Sequence, residues 1–108
     1  LKVDVMRDRG ALVRDAAGGR LENVYRLQFI NADEVPRRYV VSASGLRGLE
    51  VVLPQGIEVP AASTRVYPVL LRLDPAGIAA GSHPVTFHVS DADRPEVRAD
   101  ENSRFYIR

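Results

Sequence analysis

The chain has 108 residues, 45% hydrophobic and 27% charged, with four Tyr, three Phe and no Trp. This is the composition of one globular domain, which at this size buries roughly two-thirds of its unfolded surface around a single core. Fifteen Lys plus Arg against fourteen Asp plus Glu leave a net charge of +1, too little for a phosphate-backbone partner, so no nucleic acid is expected. With no Cys there is no disulfide, thiolate zinc site or iron-sulfur ligation within these residues.

Gly and Pro recur at short intervals, and the residues between them alternate apolar and polar with period two, the rhythm of strands that wet one face. In chain order the pattern predicts a strand near 2 to 6, then a hairpin arm through Leu12 to Arg14 that turns at Ala16-Ala17-Gly18-Gly19. A strand over 22 to 31 follows, with Tyr25, Leu27 and Phe29 facing inward, and Asp33-Glu34 beside Pro36 reads as a hairpin turn. Further strands are expected at 37 to 44, 49 to 53, 57 to 59 and 64 to 73. Asp74-Pro75-Ala76-Gly77 through Gly81 reads as a single helical turn crossing between sheets, with an N-cap and a proline at the first position. The last strands fall at 83 to 91 and 102 to 107. Seven or eight short strands make an all-β, immunoglobulin-like antiparallel sandwich, read as one domain over 1–108. Because the chain starts on Leu1, it reads as an excised segment of something longer, and no apolar run is long enough to span a membrane.

Few residues carry chemistry. His83 and His88, five apart on one strand, are aimed at opposite faces and do not readily share a metal. Asp91, Asp93, Glu96, Asp100 and Glu101 gather in what reads as a last long loop, but Arg94 and Arg98 interleave them and no EF-hand spacing is present. No serine sits in a Gly-x-Ser-x-Gly elbow, so a Ser-His-Asp set would have to be assembled by tertiary folding alone. The expectation is therefore no catalytic residue, no metal site, no cofactor and no small-molecule substrate in this segment. What remains is Arg7-Asp8-Arg9 together with Glu22, Asn23 and Tyr25, side chains suited to bidentate pairs and local caps. They either tie the first strand and the N-terminal arm onto the sandwich, or form a recognition surface for protein or lipid headgroups. As a candidate interaction surface the set is Arg7, Asp8, Arg9, Glu22, Asn23 and Tyr25.

The block Val3-Asp4-Val5-Met6-Arg7-Asp8-Arg9, then Leu12, Arg14, Gly19, Glu22-Asn23-Val24-Tyr25, Leu27 and Asn31, resembles the start of the C-terminal domain of the FixG/CcoG family. Gly45-Leu46-Arg47-Gly48-Leu49 and Ser103-Arg104-Phe105 fit the same pattern, so the resemblance spans nearly the whole chain. It implies an immunoglobulin-like accessory domain at the end of a bacterial membrane protein whose absent N-terminal part holds iron-sulfur clusters. The implied role is support of cbb-type cytochrome oxidase maturation with copper reduction, the present segment being a non-catalytic contact domain. The resemblance further implies a periplasmic location, with residue 1 shortly after the last membrane span and Arg7 and Arg9 near the headgroups. Its expected partners are other proteins or the rest of its own chain. The competing reading is a stand-alone secreted ligand-binding or adhesive sandwich.

Overall fold

A computed structural model describes residues 2–7, 13–53 and 56–108, with backbone only for Met6 and Arg7. Strands β1 (Lys2–Arg7), β2 (Arg14–Ala16), β3 (Arg20–Asn31), β4 (Arg37–Ser44) and β5 (Glu50–Val52) form the first half. Strands β6 (Ile57–Val59), β7 (Ser63–Leu73), β8 (Gly81–Asp91) and β9 (Arg98–Ile107) complete it. All pairings are antiparallel and fall into two sheets. One runs β1-β3-β7-β5 with β2 also on β3, and the other runs β6-β4-β8-β9. This partition is that of an immunoglobulin-like sandwich, with nine strands among the described residues rather than seven or eight.

The two-residue period places the core. On β3 the odd positions Leu21, Tyr25, Leu27 and Phe29 are buried, and on β7 Val69, Leu71 and Leu73. From the other sheet come Tyr39, Val41, Val85, Phe87, Val89, Phe105 and Ile107, so each strand contributes one face to a shared layer. Tyr25 meets Phe87 edge-on at 5.0 Å between ring centroids, and Phe29 stacks on Tyr39 at 5.8 Å, two aromatic contacts that bridge the sheets. Each fully buried aromatic stabilises the sandwich by about 2–3 kcal/mol through area removed from water.

Three local expectations change. Asp33-Glu34 is no hairpin turn: β3 and β4 belong to different sheets, so the segment is a crossover. Asn31 pins it, donating from Nδ2 to the carbonyls of Val35, Val59 and Pro60 at 3.0, 3.2 and 3.2 Å. The segment after β7 does cross between sheets, yet without a helix. Ile78 N–H donates to Pro75 O at 3.0 Å, Asp74 Oδ1 accepts from Ala76 N–H at 3.0 Å, and Gly77 takes φ +78°. A β-turn with glycine at its third position outcompetes a helix because the two glycines favour φ above zero. Finally, β9 begins at Arg98, so Asp100 and Glu101 lie on a strand and the β8–β9 connection shrinks to 92–97. The polar run 98–102 hid this: its ladder to β8 is backbone-driven, and sequence alternation did not register it.

Gly45, at the end of β4, has φ +121°, and a Cβ there would sit 2.6 Å from Pro84 O on β8. The glycine lets the strand end pass against the neighbouring backbone.

Candidate functional site

Of the six residues nominated from the sequence, the three whose side chains are described are interior. Arg7 ends β1 opposite Tyr25, while Asp8 and Arg9 lie outside the described residues. Glu22, Asn23 and Tyr25 are buried, at 3%, 0% and 0% exposure, and so cannot serve as an exposed contact patch. Their side chains tie the domain together.

Asn23 and Tyr25 point inward from β3 and close the outer edge of β9. Asn23 Nδ2 donates to Tyr106 O at 3.1 Å while Asn23 Oδ1 accepts Tyr106 N–H at 2.9 Å, so one side-chain amide stands in for a neighbouring strand. Tyr25 Oη donates to Arg104 O at 2.7 Å. A residue in an antiparallel ladder sends its N–H and C=O to the same side. Tyr106 and Arg104 therefore turn these groups away from β8 and toward β3.

Glu22 faces the opposite way, clamped between Arg14 on β2, which donates to Oε1, and Arg72 on β7, whose Nε donates to Oε2 at 2.5 Å. Burial pushes its carboxyl up, but the hydrogen bonds from Arg72 and Arg14 outweigh this and hold it below the ordinary value. Here the N-terminal arm is bound to the sheet, the tying role rather than the recognition role.

The acidic residues after β8 also separate. Asp91, 1% exposed, accepts the backbone N–H groups of Asp93 and Arg94 at 2.9 and 3.2 Å. Its other oxygen lies 3.7 Å from Arg37 and 3.6 Å from Arg94, and both arginines also hold Asp33, at 3.1 and 2.8 Å. Burial opposes ionisation of Asp91, yet those backbone donors and the two guanidiniums depress its pKa. The network staples the 92–97 connection to the β3–β4 crossover. Among the described residues no three His, Cys, Asp or Glu converge to hold a metal ion.

Sequence spacing did not reveal one constellation on the outer face of the β6-β4-β8-β9 sheet. Ser44 Oγ lies 2.7 Å from His88 Nε2, and His88 Nδ1 lies 2.7 Å from Asp100 Oδ1, across β4, β8 and β9. With Asp100 accepting from Nδ1, the free Nε2 accepts the Ser44 hydroxyl proton, the connectivity of a nucleophilic triad. Register accounts for the meeting, since Asp100 stands directly opposite His88 and Ser44, opposite Thr86, is the diagonal neighbour of His88 on the same face. The His88 and Asp100 side chains are 41% and 54% exposed, so water competes for both bonds. Sheet N–H groups are directed within the sheet and serve its ladder, so they do not converge above the face on a developing oxyanion. His88 borders an open pocket of about 330 Å³ with Val40, Ser42, Ser90, Pro95 and Arg98. His83, on the other side of β8, places Nε2 2.7 Å from Ala79 O.

Comparison with known proteins adds the wider setting. A family model described as "IG-like fold at C-terminal of FixG, putative oxidoreductase" matches residues 1–108. The crystal structure of a FixG-related protein from Vibrio parahaemolyticus is similar, with 25% identity and a TM-score of 0.78 over 97% of this chain and 94% of that one. A protein from Archaeoglobus fulgidus, 16% identical with a TM-score of 0.50 over 100% of this chain and 97% of its own, is similar in fold alone. No curated protein sequence matches.

Proposed function

Because the chain belongs to the family of immunoglobulin-like domains found at the C-terminus of FixG, which matches it from residue 1 to 108, we propose that it is a non-catalytic contact domain of a FixG-type membrane redox protein. In this reading the parent protein supports cbb-type cytochrome oxidase maturation, with copper reduction carried out by iron-sulfur clusters elsewhere in its chain. The domain lies on the periplasmic side and holds a partner protein or another part of its own chain in place. Family membership over the full 1–108 span carries the reading. The absence of thiolate ligands and the wet setting of the Ser44-His88-Asp100 relay agree with a role in contact rather than turnover.

The test is complementation of a strain lacking the full-length protein, with and without this domain, reading membrane cytochrome oxidase activity. Loss of oxidase assembly with the membrane and cluster parts still present is the expected result. Full activity without the domain, or redox turnover by the isolated domain, would overturn the proposal.

A further inference from the structure

Where the β3–β4 crossover meets the 92–97 connection, Asp33, Arg37, Asp91 and Arg94 pair with one another, and two of their atoms are left over. Asp91 Oδ2 and Arg94 Nε are both buried, and neither makes a hydrogen bond among the described residues. The oxygen lies 3.7 Å from Arg37 Nε and 3.6 Å from Arg94 Nη2, beyond hydrogen-bond range. The groups around these two atoms are engaged. Asp91 Oδ1 accepts two backbone N–H groups, and Asp33 Oδ2 accepts from Arg37 and Arg94. Asn31 spends its amide nitrogen on three carbonyls and its oxygen on the Asp33 N–H. A dry carboxylate oxygen and a dry guanidinium N–H are among the costliest groups to leave unbonded.

Asp91 and Arg94 line one cavity of about 40 Å³, walled also by Ile30, Tyr39 and Val97. That volume exceeds what one water needs, and it is far below the roughly 300 Å³ at which organic ligand sites begin. The two unbonded atoms select the occupant further. One accepts and the other donates, so a single occupant serving both must itself donate and accept. A cation would satisfy Asp91 but stand against the guanidiniums of Arg37 and Arg94, and an anion would satisfy Arg94 but stand against the carboxylates of Asp91 and Asp33. An apolar group serves neither atom. Direct closure of Arg94 onto Asp91 is opposed by the rigid guanidinium fork: Nε and Nη2 move together, and Nη2 is held on Asp33 at 2.8 Å.

We propose that this cavity is a water site, in which an internal water donates to Asp91 Oδ2 and accepts from Arg94 Nε–H. The water fastens the 92–97 connection to the end of β8 and, through the Arg94 bond to Asp33, to the crossover. It makes the two segments one hydrogen-bonded unit that ion pairs alone leave incomplete. The site stands independently of the contact-domain reading above.

The experiment uses this chain labelled with nitrogen-15. The Arg94 Nε–H resonance is identified by its loss in Arg94→Lys. The expected result is a cross-peak from that proton to water whose sign inverts between NOESY and ROESY spectra, the mark of a long-lived neighbouring water rather than of proton exchange. It persists in Tyr39→Phe, which removes the hydroxyl-bearing residue of the wall. A high-resolution crystal structure of the unaltered chain, which depends on no variant folding, should place a water oxygen within about 3.2 Å of both Asp91 Oδ2 and Arg94 Nε. A cross-peak that is absent, does not invert or disappears in Tyr39→Phe overturns the proposal. So does a crystal structure with a metal ion or an anion in the cavity, or with Arg94 bonded directly to Asp91 Oδ2 and the cavity closed.

Discussion

Replacing Asn23 with alanine tests whether the residues that look like a recognition motif are instead the tie between the sheets. The amide is fully buried and makes two hydrogen bonds to the backbone of Tyr106, at 3.1 and 2.9 Å. Each such bond has a net worth of about 1 kcal/mol, and more when the surroundings are dry. Truncating a fully buried side chain adds a packing loss of about 1 kcal/mol. The expected destabilisation is therefore about 2–4 kcal/mol, and for a domain of this size each kcal/mol lowers Tm by about 4 °C. Chemical denaturation followed by circular dichroism should show the loss in the midpoint with an unchanged slope. The Tyr106 amide should exchange faster with solvent. Asn102→Ala, on an exposed β9 position where the amide oxygen accepts the Thr86 hydroxyl at 3.1 Å, should stay within about 0.5 kcal/mol of the parent. If Asn23→Ala costs less than about 1 kcal/mol, or no more than Asn102→Ala, side-chain closure of the β9 edge is not what holds that strand.

Gly45→Ala should destabilise by about 2–4 kcal/mol, since it adds backbone strain at φ +121° to a 2.6 Å approach to Pro84 O, whereas Gly18→Ala, strained but open, should cost about 1 kcal/mol. Denaturant midpoints for the pair separate space from conformation. Glu22 and Asp91 have folded-state pKa values below their ordinary ones, so their contribution is present above the unfolded pKa and is lost as pH falls through the folded value. Thermal melts should accordingly fall between roughly pH 5 and pH 2, and Glu22→Gln should flatten that fall while lowering the neutral-pH Tm. Ser44 should react with a sulfonyl fluoride no faster than Ser42 by peptide mass spectrometry. Labelling more than roughly tenfold faster, and lost in His88→Gln, would contradict the non-catalytic reading.

Alternation was the part of the fold that sequence carried well. Tyr25, Leu27 and Phe29, or Val85, Phe87 and Val89, could be assigned to the core because a strand has only two faces and water selects between them. Strand ends were weaker where side chains did not report burial: β9 runs back to Arg98 through Asp100 and Glu101, held by its ladder to β8. Three residues of the candidate surface were misplaced for a related reason. Glu22, Asn23 and Tyr25 are polar, and polarity in a sequence reads as exposure. Their partners Arg72, Tyr106 and Arg104 lie 50, 83 and 79 positions away. No local pattern can show that a buried polar group is satisfied at such a distance. The Ser44-His88-Asp100 relay was equally hidden, because cross-strand register brings its members together.

The sequence by itself settled the all-β class, the period-two core and the lack of thiolate chemistry, since each follows from residue type and spacing along one chain. Only the tertiary structure decided which polar side chains are interior ties and which face water, because that depends on how the two sheets meet.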